Sequence, residues 1–202
     1  MSLELIGLAL GTSFAAGINL YATVATLGLL ERFGVVALPP PLQPLAHPIV
    51  IGVALFFYAV EFFADKIPYV DTVWDTFHTF IRPPAAAILA YAAVAGVSEP
   101  WRIVAALVAG GVALTSHGTK TTARAAVNTS PEPISNWILS VAEDGVVIAL
   151  VWFAAVHPLW TLGIVAVLLA LSIWLLTKLV RYFRDLFRTT AARKRQTVPK
   201  PS

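Results

Sequence analysis

The feature that most constrains this chain is a series of long apolar runs, almost free of charge inside, set between short polar segments. A hydrocarbon layer about 30 Å thick takes about 20 apolar residues as helix. Runs of that kind fall at approximately Leu3–Leu30, His47–Phe63, Pro83–Val97, Trp101–Thr119, Ser135–Val156 and Leu159–Val180. The second and third are short. Composition agrees: 58% of the 202 residues are hydrophobic and 12% charged, where a soluble domain carries about 25% charged residues. The expected fold is therefore all-α: a polytopic membrane helical bundle of about six transmembrane helices, with an amphipathic polar hairpin helix between spans two and three. There is no cysteine, which excludes disulfides, thiolate nucleophiles and CxxC metal sites. "MSLELIGLAL" lacks a positive n-region and carries Glu4, so it reads as a retained first span.

Charge sets an orientation. With six spans, the amino terminus, the loops after spans two and four and the carboxyl terminus share one side, which holds 12 of the 14 Lys and Arg. Only Arg32 and Arg102 fall opposite. The positive-inside rule then puts both termini in the cytoplasm, with Trp101 and Trp160 as interfacial anchors on the far side. Residues 1–182 read as the transmembrane domain and 183–202 as a basic cytoplasmic tail, polar and disordered from Thr189 on. "KLVRYFRDLFR" puts Leu179, Tyr182, Phe183, Leu186 and Phe187 on one face and basic residues on the other. That pattern suits a membrane-surface helix on anionic lipid headgroups. The net charge of +3 comes from this tail and is not a nucleic-acid signal. "VVALPPPLQPLAHP" is rich in proline and reads as an extended connector.

"VEFFADKIPYVDTVWDTFHTFIRPP", from Val60 to Pro84, is the polar exception. At helical spacing Asp71, Asp75, His78 and Arg82 share one stripe. Val70, Trp74, Phe77 and Ile81 follow one residue earlier as an apolar face, widened by Val73 and Phe80. The stretch is expected to fold as a cytoplasmic-side hairpin against the bundle, lining a wet cavity with the polar groups of spans four and five. Pro83 pushes Arg82 out of helix. Asp71, Asp75 and His78 have a spacing that can ligate a divalent metal; the plainer alternative is that Asp75 pairs with His78 or Arg82.

Further ionisable and polar groups lie in apolar surroundings: Asn19 in span one, Glu61 and Asp65 ending span two, and Glu143 and Asp144 inside span five. His117, Lys120, Arg124 and Asn128 run in one stripe off span four. Charge at mid-bilayer is costly, so such groups face protein or water and pair. Lys120, Arg124 and Lys66 are the cations expected to meet Glu143 or Asp144. Gly7, Gly11 and Ala15 repeat every four residues in span one, and Ala105, Ala109 and Ala113 do so in span four. Such faces allow close approach. Spans one and four are expected to cross, bringing Asn19 towards His117, in an arrangement that allows a 3+3 inverted repeat.

"GINLYATV", "VEFFADKIPYVDTVWDTFHTFIRP" and "HGTKTTARAAVNTSPEPISN" together resemble an uncharacterised bacterial membrane-protein family, domain of unknown function 4126, over about residues 5 to 180. The ADKIP and VDxxWDxxHTxIRP elements are the specific part. A departure is "PPAAA" after Arg82, where a glycine is expected. The resemblance implies a multi-pass inner-membrane protein and brings no substrate or reaction.

Function therefore rests on the residues. Seven acids (Glu61, Asp65, Asp71, Asp75, Glu132, Glu143, Asp144) face four fixed bases (Lys66, Arg82, Lys120, Arg124). The excess favours a small transporter or carrier of a cation or proton. A membrane-embedded enzyme or carrier acting on a lipid phosphate is the alternative, with the four bases on phosphate and His78 or His117 as acid–base group. No phosphate loop, GxSxG or HExxH motif is present. A structural scaffold is the third reading. Substrate, coupling ion and oligomeric state are not encoded in any motif.

Overall fold

The computed structural model describes residues 2–67, 69–128 and 133–196. Glu132, one of the seven acids, lies outside them, as do the side chains of Pro133, Phe183 and residues 185–196. Among the described residues the protein is all-α. Helix α1 spans Leu3–Ile18, and the Ser2 side chain caps its start. It stops at Asn19, whose backbone is extended (φ −146°, ψ 103°), and α2 begins at once, Leu20–Arg32. The first apolar run is thus one helix interrupted in its middle. The Asn19 side chain makes the break tolerable by accepting the Ala22 N–H at 2.9 Å, an N-cap inside a span.

The proline-rich connector is not extended but winds into a 3₁₀ segment, Pro40–Ala46. Proline's fixed φ suits either conformation. After it come α3, Pro48–Ala64, and α4, Val70–His78. Tyr69 precedes α4 at φ 71°, a left-handed conformation costly for a bulky residue. Then follow α5 (Arg82–Ala93), α6 (Glu99–Val127), α7 (Pro133–Val156) and α8 (Pro158–Gln196). Two sequence expectations change here. Arg82 is not expelled from helix: α4 ends at His78 and Arg82 opens α5, followed by prolines where a first turn accepts them. The tail does not end the helix at Thr189, because α8 continues to Gln196.

Helix α1 is the centre. It packs against α5, α6, α7 and α8, while α3 sits outside, chiefly on α2. Nearly every residue of α1 from Gly7 to Gly17 is buried, as expected of a helix apolar all round. Its small residues serve two neighbours. Gly7 lies against the Pro158 backbone and Gly11 against Ala154 and Thr161, so this stripe receives α7 and α8, not α6. The contact with α6 is at Gly17, which touches Ser116 Oγ and the Ala113 carbonyl. Helix α5 also packs closely on α6, where Gly110 faces the Pro83 carbonyl and Ala87, an alanine standing where a glycine was expected in the PPAAA run.

Exposure is inverted relative to a soluble protein. The fully buried side chains include Arg82, Arg124, His117, Glu61 and Asn19, while Phe56, Phe63, Leu107, Trp160 and Trp174 are exposed. Helix α4 is the clearest case. Its polar stripe (Asp71, Asp75, His78) points inward, and Phe77 is 67% exposed. The apolar face, with Val73, Phe77 and Phe80, points away from the bundle. Ile134–Val156 and Pro158–Tyr182 are long and apolar enough to cross a membrane. The Pro40–Ala46 and Pro48–Ala64 pair, bent by 68°, makes a third if taken as one span. Of the other runs, the first is divided at Asn19, α5 has only 12 residues, and α6, though 29 residues long, carries His117, Lys120 and Arg124 in its second half. Large exposed apolar surface and apolar helices of spanning length are the features of a membrane protein.

Candidate functional site

Three cations and four carboxylates from five helices form one buried lattice. Arg82, at the start of α5, sends Nη2 to Glu61 Oε1 at 2.8 Å. Its Nη1 donates to His117 Nδ1 at 2.7 Å and to the Gly17 carbonyl at 3.3 Å. Asp75 Oδ1 lies 3.2 Å from that Nη1, as an ion pair without a hydrogen bond. The two Nη1 protons are already engaged, which explains it. Lys120 Nζ uses all three protons: on Glu61 Oε1 (3.1 Å), Asp65 Oδ2 (2.9 Å) and the Ile18 carbonyl (3.1 Å). Arg124 binds Asp65 through both its carbonyl and Oδ2, and pairs with Glu143.

The break at Asn19 is what organises this lattice. A helix end leaves carbonyls without intrahelical partners and carries partial negative charge. Here the Gly17 and Ile18 carbonyls at the end of α1 accept from Arg82 and Lys120, and the Phe14 carbonyl accepts from Ser116 Oγ at 2.9 Å. Asn19 does not reach His117 as expected. Its Nδ2 donates to Asp144 Oδ1 at 3.1 Å. Spans one and four do cross, but at Gly17 and Ala113. The halves of the expected inverted repeat differ there, since α6 runs unbroken where the first span is interrupted.

Both buried histidines have their tautomers fixed by partners. Arg82 can only donate, so His117 Nδ1 accepts and the proton sits on Nε2. That Nε2 faces Thr79 Oγ1 at 2.9 Å and the Asp75 carbonyl at 3.2 Å. His78 is the reverse: Nδ1 donates to the Trp74 carbonyl at 2.8 Å and Nε2 accepts from the Tyr21 hydroxyl at 3.1 Å. Burial pushes the His78 pKa below the ordinary imidazole value, with Arg82 adding to it and the Trp74 carbonyl opposing. Lys66 stands apart from the lattice, donating to the Phe62 carbonyl and Ser140 Oγ beside the Phe62 ring. Burial holds its ammonium below the usual lysine range, against the pull of Asp144 and Asp65.

The metal triplet is not assembled. Asp71 accepts from Asn128 at 2.9 Å and from Thr72, Asp75 turns to Arg82 and Lys120, and His78 to Tyr21. Among the described residues no three His, Asp or Glu side chains are placed to hold a metal ion. Seven-residue spacing does align Asp71 and His78 on one face, but their nearest partners come from α6 and α2. Asn128 also accepts from Asn136 at 2.6 Å, which ties α6 to α7.

Between α4 and α6 lies a cavity of about 300 Å³ lined by Thr72, Asp75, Thr76, Thr79, Phe80, Thr121 and Arg124. The threonines were not among the sequence candidates. Their signal is the polar i, i+4 register Thr72–Thr76 beside Asp71–Asp75. The Gly17 and Ile18 carbonyls carry no sequence signal beyond the asparagine that follows them.

An all-α bundle of this kind, apolar outside and ionic within, is the class the geometry defines. The chain belongs to the family described as domain of unknown function (DUF4126), whose model matches residues 6–178. No curated protein and no solved structure matches it.

Proposed function

We propose that the chain is a small multi-pass carrier of the bacterial inner membrane that moves a cation or a proton through a polar cavity on the cytoplasmic side. In this reading about six segments cross the bilayer, both termini are cytoplasmic, and the basic segment 183–202 lies on anionic headgroups. The observation that carries it is an excess of buried acceptors. Glu61 Oε2, Asp65 Oδ1 and Asp144 Oδ2 are buried and accept no hydrogen bond, and Asp75 Oδ1 has only its ion pairs with Arg82 and Lys120. Buried carboxylate oxygens without donors are costly, and they are places where a proton or cation can rest. They sit beside a helix interrupted in mid-span, the arrangement from which carriers build ion sites. A lipid-phosphate enzyme needs cations free to hold phosphate. Arg82, Lys120 and Arg124 are instead each ion-paired with buried carboxylates, which favours the carrier.

The test is gradient dissipation in proteoliposomes carrying a pH-sensitive dye. Asp144→Asn, and Asp144→Asn with Glu143→Gln, are expected to abolish proton flux, with thermal melting confirming that both variants fold. Flux at the unaltered rate in a folded double variant removes proton coupling. Unfolding of every lattice variant, with no flux in the parent protein, points to the scaffold.

A further inference from the structure

The cavity between α4 and α6 has a lining of one chemical kind. Thr76 Oγ1 donates to the Thr72 carbonyl at 2.7 Å, Thr79 Oγ1 to the Asp75 carbonyl at 3.0 Å, and Thr121 Oγ1 to the Gly118 carbonyl at 3.1 Å. Thr72 Oγ1 is 3.2 Å from Asp71 Oδ1, which can only accept from it. A hydroxyl has one proton. With that proton directed into the protein, these side chains offer lone pairs to the cavity. Arg124 is the sole cation lining it among the described residues, and four of its five N–H groups go to Glu143 and Asp65. Asp75 is buried and lines the cavity; its Oδ1 faces Arg82 Nη1 at 3.2 Å and Lys120 Nζ at 3.7 Å, which leaves Oδ2 for a guest. The lattice behind it links four carboxylates (Glu61, Asp65, Asp75, Glu143) to three cations (Arg82, Lys120, Arg124), one positive charge short among the described residues.

A cavity that presents many acceptors and a carboxylate, with all but one Arg124 N–H engaged, selects its guest. An anion finds few donors and meets the Asp75 carboxylate. A monovalent cation bearing N–H groups supplies both the missing charge and the missing donors. The volume of about 300 Å³ takes a few heavy atoms, and the Phe80 ring gives a small alkyl group or a cation a wall to lie on. We propose that this cavity binds an ammonium-type ion, ammonium itself or a short primary alkylammonium, with Asp75 receiving the charge and the threonine hydroxyls receiving the N–H groups. This rests on the carrier reading and names its substrate class.

The experiment is calorimetric titration of the full chain in detergent with methylammonium chloride, tetramethylammonium chloride or potassium chloride at constant ionic strength. Methylammonium is expected to bind saturably; tetramethylammonium, which has the charge but no N–H, and potassium are not. Thr76→Val combined with Thr121→Val keeps the volume and removes two acceptors. It is expected to weaken methylammonium binding at least about tenfold, the value of one charged hydrogen bond, with the melting temperature little changed. Absent methylammonium binding, equal binding of tetramethylammonium or potassium, or unchanged affinity in the folded double variant each overturns the assignment. Binding of methylammonium with no flux of it in proteoliposomes leaves the site standing and removes the carrier. Proton flux without that binding does the reverse.

Discussion

Arg82 holds more of this structure than any other side chain. It joins Glu61 and Asp75, satisfies the end of α1 at Gly17 and fixes the tautomer of His117. Removing one partner from a buried ionic group costs about 3–5 kcal/mol, because the remaining charges stay buried. Arg82→Ala is therefore expected to destabilise by that amount in denaturant titration of the detergent-solubilised protein. Arg82→Lys should recover little, since a compact ammonium cannot reproduce the planar fork that reaches three groups at once; full recovery would show that only charge matters. His78 gives a pH dependence. Its folded pKa lies below the ordinary 6.5 because the ring is buried, so the unfolded chain binds the proton more readily. The contribution of the neutral ring is present above about pH 6.5 and is lost as the pH falls through the lower folded value. Melting temperature should therefore drop on acidification more steeply than in His78→Gln. Identical slopes in the two proteins would exclude His78 as the titrating group.

At the scale of elements, the interrupted first span and its crossing with α6 decide where charge can be buried. Gly17 is a glycine because a Cβ there would run into the Ala113 carbonyl and Ser116 Oγ. Gly17→Ala is expected to cost about 1–3 kcal/mol by forcing the helices apart. A methyl group added at Gly52 on α3 would meet nothing within 4 Å, so Gly52→Ala should be neutral or stabilise by up to about 1 kcal/mol. Comparing the two by thermal melting separates contact from helix propensity. Equal effects would mean that the α1–α6 contact is looser than its geometry. The stripe Asp71, Asp75, His78 and Arg82 was legible from spacing alone, because helical periodicity fixes which residues share a face. The stripe turns inward and Phe77 and Phe80 outward, since its charges find partners only within the protein. Which partners they find was not legible.

For the whole molecule, the carrier reading implies an alternation of loops between the two sides of the membrane. The chain has no cysteine, so single cysteines can report on it directly. Ser98 caps α6 without a side-chain hydrogen bond and is exposed. Ser98→Cys is expected to react with an impermeant maleimide added to intact cells, and Ser202→Cys only after the membrane is opened. Labelling of both from the same side would remove the six-span topology. The lattice spans α3, α4, α5, α6 and α7 and closes on the end of α1, so no fragment contains it. Deleting α8 should weaken α1 packing through Gly7 and Gly11 while leaving the ion pairs of the lattice in place, whereas a cut between α3 and α4 divides the site.

The amino-acid sequence by itself determined the class: apolar runs fix helices, their inverted exposure follows from composition, and costly intramembrane charges mark the residues that must meet. It also contained nearly all members of the site, because burying Glu61, Asp65, Arg82, Lys120, Arg124 and Glu143 is tolerable only in one another's company. Tertiary structure alone decided who meets whom. Pairing depends on distances across elements far apart in the chain, and on backbone carbonyls at Gly17 and Ile18 that no side-chain pattern encodes. That is why Asn19 finds Asp144 and not His117, why the Asp71, Asp75 and His78 triplet separates, and why a row of unremarked threonines lines the cavity.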